Sequence, residues 1–397
     1  MSDKPLIVHV LYRFDTGGME QIMLSMIDRT RERYRHAVIC VAGYGPLRDR
    51  LEAASVPCLS LDKKPGKDFL HYLRFWRALR SLKPDLVHTY NIGTLDLTPF
   101  ARLAGVRRVI HAEHGRDSSD PLGEIRKYRR LRRWMAPFIN RYVPVSVELR
   151  DWLTQRVGIR PSKVLHIPNG IDVDRYGIAS SQRASRRLTG NLAPPGTLLV
   201  GNVARLDKVK DHAALISAFG LLREQAASHD VDCRLVIAGD GPQRAVLEQQ
   251  IVELGLTESV HLLGNRDDVP ELLAECDLFV LSSMAEGMPL TLLEAMAAGL
   301  PVVTTRVGDT ASMVEADRTG VLVPPGDPQA LAEAMRMYAI DEPLRRQHGE
   351  AGRARVVARF SLGTMVAAYE ALFAESLAPV DGALVSPASG FSKSRGH

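Results

Sequence analysis

The sequence predicts an α/β protein of two Rossmann-like, doubly wound domains facing each other across a cleft. Three observations predict it. Short apolar runs rich in β-branched residues alternate with segments of helical spacing along nearly the whole chain, the pattern of a parallel sheet covered on both faces. The alternation breaks once, at a Ser-, Arg-, Ala- and Pro-rich stretch over 178–196, and then restarts. The chain has 397 residues, too many for one ordinary core.

The first set opens on a strand over 6–12. Met19, Ile22, Met23, Met26 and Ile27 follow at helical spacing over 18–29. Strands are expected over 36–42, 85–89, 107–112, 142–146 and 164–167, with helices over 69–82 and 122–138. After the break come strands over 198–203, 233–238, 260–263, 278–281, 302–305 and 320–323. Helices are expected over 211–224, 243–254, 269–275, 289–298, 328–340 and 343–358. A last helix over 365–377 presents Val366, Tyr369, Leu372 and Phe373 on one face. The expected domains are therefore 1–177 and 197–360, joined by a linker over 178–196. The tail over 378–397, rich in Ser, Gly and Pro, should be disordered.

With 45% hydrophobic and 24% charged residues, the composition is that of a soluble globular protein. Cys40, Cys58, Cys233 and Cys276 form no CxxC pair, so neither a zinc site nor a disulfide framework is indicated. The first apolar run is too short for a membrane span and lacks a small-residue cleavage site. It reads as a strand, and a cytoplasmic location is the simplest expectation. Charge is divided unevenly. Residues 1–150 hold 27 Lys and Arg against 16 Asp and Glu (+11), and residues 151–397 hold 24 against 30 (−6). The basic half should meet an anionic partner.

The candidate chemistry lies in loops after strands. Gly17-Gly18 joins the first strand to its helix, where backbone amides can approach a phosphate; a plain turn is the alternative. No G-x-G-x-x-G is complete, which counts against a nicotinamide or flavin enzyme, and no P-loop is present. His114 follows a strand and reads as a substrate-facing hydrogen-bonding group or as an ordinary surface histidine. The segment Arg126 to Trp134 holds six basic residues in nine, with Leu, Tyr and Trp between. It suits an anionic membrane face or a solvated helix face, and no nucleic-acid module surrounds it. Arg205, Lys208 and Lys210 follow the strand over 198–203 as an anion clamp. Gly239-Asp240-Gly241-Pro242 reads as a structural turn.

The segment Ala285-Glu286-Gly287-Met288-Pro289-Leu290-Thr291-Leu292-Leu293-Glu294 stands apart. Pro289 suits the first helical position, and Gly299 and Pro301 end the helix. Apolar residues cover nearly every face, so the helix should be buried. Glu294 on it, and Glu286 just before it, are then expensive unless they serve a site. Amides at the helix start would face whatever enters the cleft.

Taken in order, several stretches resemble those of the retaining nucleotide-sugar glycosyltransferases of the GT-B fold, family 4. They are Gly17-Gly18-Met19-Glu20, His114-Gly115, Ile167-Pro168-Asn169-Gly170-Ile171-Asp172, Arg205 with Lys210, Ala238-Gly239-Asp240-Gly241-Pro242, and the E-x7-E pair Glu286 and Glu294. The resemblance spans about residues 5 to 375. The first half is also similar to the sugar transferases associated with exosortase/PEP-CTERM exopolysaccharide loci.

The resemblance implies roles. Gly17 and Gly18 would offer amides to the donor diphosphate, and Arg205 and Lys210 would neutralise it. Glu286 would contact the transferred sugar as nucleophile or electrostatic stabiliser, with His114 touching the sugar from the first domain. Gly287, Met288, Pro289, Leu290 and Thr291 would form the wall at sugar and phosphate. Glu294 would take the ribose hydroxyls, and Arg266 would lie beside the base. No cofactor and no metal are required. A UDP-sugar is the first expectation for the donor and a GDP-sugar the next. The acceptor would be a glycan or a polyprenyl-linked saccharide, met at the inner membrane face through the helix around Arg126 to Arg133. The last helix would cross back onto the first domain. The competing readings are a GT-B nucleotide-sugar epimerase, a phosphorylase, and a non-catalytic basic-surface binding protein.

Overall fold

A computed structural model describes residues 4–15, 17–115, 120, 123–176, 194, 196–226 and 231–378. Most of the expected linker over 178–196, and the expected disordered tail beyond 378, lie outside the described residues. The first sheet contains β1 (Leu6–Leu11), β2 (Arg35–Cys40), β3 (Cys58–Ser60), β4 (Leu86–Tyr90), β5 (Val109–Glu113) and β6 (Arg141–Pro144). The second contains β7 (Leu198–Val203), β8 (Cys233–Ala238), β9 (Val260–Gly264), β10 (Leu278–Leu281), β11 (Val302–Thr305) and β12 (Gly320–Val323). The strand orders are β3-β2-β1-β4-β5-β6 and β12-β11-β10-β7-β8-β9. Read outward from the first strand of each set, these are one order, and every strand pairing is parallel. The order reverses between β1 and β4, and between β7 and β10. In such sheets ligands bind beyond the carboxyl ends of the strands at that reversal.

Both faces of each sheet are covered, which explains the continuous burial of β1, β4, β5 and β10. On one side of the first sheet, helix Gly18–Thr30 packs Ile22, Met23, Met26 and Ile27 against the last helix, Leu362–Leu377. That last helix buries Met365, Val366, Tyr369, Leu372 and Phe373 there. Ion pairs Arg33–Glu370 (3.1 Å) and Arg141–Glu375 (2.6 Å) flank the contact.

The sequence missed some local structure. Strand β3 is three residues long, and helix Thr98–Leu103 is short and preceded by a 3₁₀ turn. Neither length carries a readable period. The expected strand over 164–167 runs beside β6, with Leu165 N–H donating to Tyr142 O and Ile167 N–H to Pro144 O. Only Val164 forms a bridge, so it is an edge segment and not a full strand.

The basic segment forms helix Arg126–Met135, continued by a 3₁₀ turn over Ala136–Phe138. Not all of its basic residues are free for a membrane or for solvent. Arg132 is buried and clamps Glu113 of β5, with Nε 2.5 Å from Oε1 and Nη2 3.0 Å from Oε2. Burial alone would raise the Glu113 carboxyl, but Arg132 and His111 pull it down to about 2. Arg133 donates to the Val157 carbonyl. Arg126, Lys127 and Arg130 remain exposed beside Trp134, which is 67% exposed.

Candidate active site

The candidate side chains sit on the loops after β1, β5, β7, β9 and β10, together with the helix that follows β10. Helix Leu290–Ala297 starts from Pro289, whose ψ of 116° makes it the N-cap and not the first helical residue expected from sequence. No side chain caps that end, so its amides have no side-chain partner there. Leu292, Leu293, Ala295, Met296 and Ala297 are buried. Leu290, Thr291 and Glu294 are half-buried. Their spacing of three and four residues places them on one side of the helix. The helix is therefore not apolar all round, because one narrow face looks away from the core.

The first domain meets that face. A Cβ on Gly18 would lie 2.9 Å from Leu290 Cδ1, so the first helix of the chain starts against the helix after β10. The Glu20 carboxyl folds back over Gly17 and accepts from backbone N–H groups of Asp15 and of its own residue; burial raises its pKa. Gly287 lies under the loop after β5, where a Cβ would come 2.8 Å from the His114 carbonyl oxygen. Glycine is needed because backbone, not a movable side chain, stands in the way. Asn169 N–H approaches Met288 Sδ at 3.3 Å, and Val147 N–H donates to Asp309 Oδ1 at 3.1 Å. Asp309 N–H in turn donates to the Gly287 carbonyl. The loop 286–289 is thus held by residues of both domains.

Lys210 Nζ lies 2.6 Å from Glu286 Oε1, and Ser283 Oγ donates to the same oxygen at 2.6 Å. The Glu286 side chain is only 9% exposed. Lys210 is fixed by its surroundings, since Ser282 Oγ donates to its carbonyl and Met284 N–H donates to the Val209 carbonyl. Lysine carries three donors, so contact with Glu286 leaves two for an incoming anion. Arg205 stands apart from this pair. Its side chain is 70% exposed and pairs with Asp207, through Nε at 2.9 Å and through Nη2.

Gly239 and Gly241 play a local structural part. Gly239 has φ +136°, and a side chain there would strike the Ala204 carbonyl. The turn after β8 thereby packs beneath the loop that carries Arg205.

His114 N–H donates to Asn91 Oδ1 at 2.8 Å, which ties the loops after β4 and β5 together. Its two ring nitrogens are buried and find no hydrogen-bond partner among the described residues. Burial pushes the imidazole down to about 4 against the pull of Glu113, so it is neutral at pH 7. A neutral imidazole with an unfilled donor and acceptor suits a sugar hydroxyl.

Arg266 pairs with Asp268, Nε to Oδ1 at 2.7 Å, and lines an open recess of about 470 Å³ with Asn265, Asp267, Glu271 and Arg175. Glu294 accepts from the Tyr176 hydroxyl, and burial raises its carboxyl. Tyr176 and Arg175 are functional candidates that the sequence reading missed. They lie more than a hundred residues from Glu294, and nothing in their local pattern marks them.

The region over 16–175 matches the family model Glycosyltransferase Family 4. Residues 189–355 match the model Glycosyl transferases group 1. A putative glycosyltransferase, EpsF, of Bacillus subtilis is 34% identical over 331 residues, covering 76% of this chain and 79% of that protein. The chain belongs to glycosyltransferase family 4. This family 4 enzyme is also similar to the UDP-Gal:alpha-D-GlcNAc-diphosphoundecaprenol alpha-1,3-galactosyltransferase of Escherichia coli. The two are 28% identical over 347 residues, covering 85% of this chain and 89% of that one. Its fold superposes on a crystal structure of Anabaena Alr3699/HepE in complex with UDP-glucose with a TM-score of 0.81, covering 93% of this chain and 99% of that one, at 24% identity. The fold is GT-B and the enzyme is a glycosyltransferase. The epimerase and binding-protein readings are not favoured.

Proposed function

We propose that this glycosyltransferase moves a hexosyl group, with retention of anomeric configuration, from a UDP-sugar to a lipid-linked saccharide. The observation that carries the reading is the Lys210–Glu286 pair set beneath the helix face of Leu290, Thr291 and Glu294. A donor laid along that face would place its sugar at Glu286 and His114. Its diphosphate would lie at Lys210 and the helix-start amides, with Gly17 and Gly18 opposite, and its ribose at Glu294. The base would enter the recess at Arg266. Arg205 would turn from Asp207 to the phosphates when the donor arrives.

In the reaction the acceptor oxygen bonds to the anomeric carbon and the carbon–phosphate-oxygen bond breaks. Its electron pair leaves with UDP, and the acceptor proton passes to a departing phosphate oxygen. Lys210, Arg205 and the amides stabilise that developing charge. In this single displacement Glu286 would stabilise the charge at the anomeric carbon; as a nucleophile it would instead bond that carbon as UDP leaves and release it to the acceptor oxygen in a second step.

UDP-glucose in the Anabaena structure and the UDP-galactose and diphosphoundecaprenol of the E. coli enzyme's name support the choice of nucleotide and acceptor class. The resemblance of the first half to exosortase-associated transferases would place the reaction in exopolysaccharide synthesis. Calorimetric titration of UDP- and GDP-sugars tests the donor, and proton NMR of the product tests retention. Tighter binding of the GDP series would overturn the UDP assignment, and an inverted anomeric coupling would overturn retention.

A second reading concerns location. Arg126, Lys127 and Arg130 are exposed on the same helix as the exposed indole of Trp134, a combination suited to an anionic membrane surface at the cytoplasmic side. No helix among the described residues is long and apolar enough to cross a membrane. Flotation with vesicles containing phosphatidylglycerol should recover the wild type and lose a triple Arg126→Gln, Lys127→Gln, Arg130→Gln variant. A wild type that does not float removes this reading.

A further inference from the structure

The 3₁₀ turn Val173–Tyr176 is carried by the first half of the chain, yet it packs on helices Val269–Glu275 and Leu290–Ala297 of the second. It follows directly on Ile171, which bridges Ser361 where the chain returns to the first domain. Two of its side chains reach groups of the donor site. Tyr176 is buried, and its hydroxyl donates to the Glu294 carboxylate. Arg175 is exposed, stands on the rim of the recess that holds Asn265 and Arg266, and its charge acts on Glu294.

A ribose presents two neighbouring hydroxyls, and a carboxylate accepts both only when its plane is fixed. An unanchored Glu on a helix turns freely about its terminal bonds. The carboxylate has about four acceptor directions, so one bond from a phenol sets the plane and leaves the others for the diol. The phenol is itself held by burial. The guanidinium of Arg175 adds a planar cation at the open edge of the same recess, where it can lie over a base or meet a phosphate oxygen.

We propose that this turn is the third wall of the nucleoside site. Tyr176 positions Glu294 for the ribose hydroxyls, and Arg175 closes the rim of the base recess over a bound nucleoside diphosphate. The inference rests on the assignment of Glu294 to the ribose. It makes the segment at the crossover between domains part of nucleotide recognition.

The test is calorimetric titration of the full chain with UDP and 2′-deoxy-UDP, and with GDP and 2′-deoxy-GDP. The proteins are the wild type, Tyr176→Phe, Arg175→Gln and Glu294→Ala, with ligand-free melting measured on each. The wild type should prefer the ribo form, and Glu294→Ala should erase that preference. Tyr176→Phe keeps the ring and its packing, and should narrow the preference about tenfold, the worth of a hydrogen bond to a charged group. Arg175→Gln should weaken both forms by the same factor. A wild-type preference in Tyr176→Phe, with the preference lost in Glu294→Ala, overturns the inference and leaves Glu294 at the ribose. Equal preference in wild type and Glu294→Ala overturns the ribose assignment itself. If Tyr176→Phe melts too early to titrate, Arg175→Gln decides, and unchanged affinity there removes the turn from the site.

Discussion

The first sheet and the second share one strand order, yet the first buries His9, His36, His88, His111 and Glu113 along its strands. The second keeps its buried polar groups small and uncharged there, as Asn202, Thr304 and Thr305, with Ser282 and Ser283 just beyond β10. In the first, a chain of hydrogen bonds runs from Thr30 Oγ1 through His36 (3.0 Å), His9 (3.0 Å) and the Tyr90 hydroxyl (2.9 Å) to His88 (3.0 Å). His9 and His36 each serve as donor on one nitrogen and acceptor on the other, so that run holds only while the rings are neutral; His88 joins through Nδ1 alone, its Nε2 finding no partner among the described residues. The second domain places charge at strand ends, where Lys210 and Glu286 face the cleft. One backbone plan therefore supports two interiors. The first stores polarity inside the layers, and the second spends it at the site.

The largest effect that would sharpen this contrast is on stability. Arg132→Ala leaves Glu113 buried with only His111 to pair with it among the described residues, and should cost about 3–5 kcal/mol. Denaturant melts of Arg132→Ala and of Glu113→Gln/Arg132→Met measure it. The double variant should recover much of the loss, and a neutral single variant would break the claim of an internal ion pair.

Next is turnover. Lys210→Met or Glu286→Gln should lower kcat by about 10²–10³-fold, the scale of losing one preorganised electrostatic group. Glu286→Gln should melt near the wild type, whereas Lys210→Met leaves a carboxylate that is 9% exposed and should melt somewhat earlier. A variant that melts early at full rate per folded molecule would assign the pair to structure instead.

The third effect is acid sensitivity. Burial pushes His36 down to about 4, and drives His9 and His88 well below the ordinary imidazole range. Unfolded imidazoles titrate near 6.5, so between 6.5 and 4 the unfolded chain binds protons that the folded chain refuses. Stability is therefore full above about 6.5 and falls as pH drops towards 4, by about 3 kcal/mol for His36 alone. Urea melts between pH 7.5 and 4.5 should show the slope, and His36→Asn should flatten part of it. A flat wild-type profile over that range would break the contrast between the two interiors.

The smallest effect is at the seam between the domains. Gly287→Ala forces a methyl against the His114 carbonyl and should raise the donor KM severalfold, for about 1–2 kcal/mol of strain. Steady-state kinetics at varied donor checks it, and an unchanged KM would mean that the two loops separate freely.

Much of the fold was legible because a parallel sheet writes itself locally. Each central strand is a short, mostly apolar run buried on both faces, broken by polar residues such as His9, His88 and Asn202, and each helix keeps its own period. The short pieces, β3 and helix Thr98–Leu103, were not legible, since three to six residues carry no period. At the candidate site, Glu286 and Glu294 stood out because a charge on an apolar segment is costly unless used, whereas Gly287 entered only through the family resemblance. Lys210 was found as part of a cationic loop, but its partner was not.

By itself the sequence determined the two sheets, their restart, and the segment that holds the candidate site, because burial and periodicity are properties of neighbours in the chain. Only the tertiary structure decided which charges are spent inside and which at the cleft. Arg132 went to Glu113, Lys210 to Glu286, and Tyr176 to Glu294. A charged group takes the partner that desolvation forces on it, and that partner is set by where the folded chain passes, not by what stands next to it in sequence.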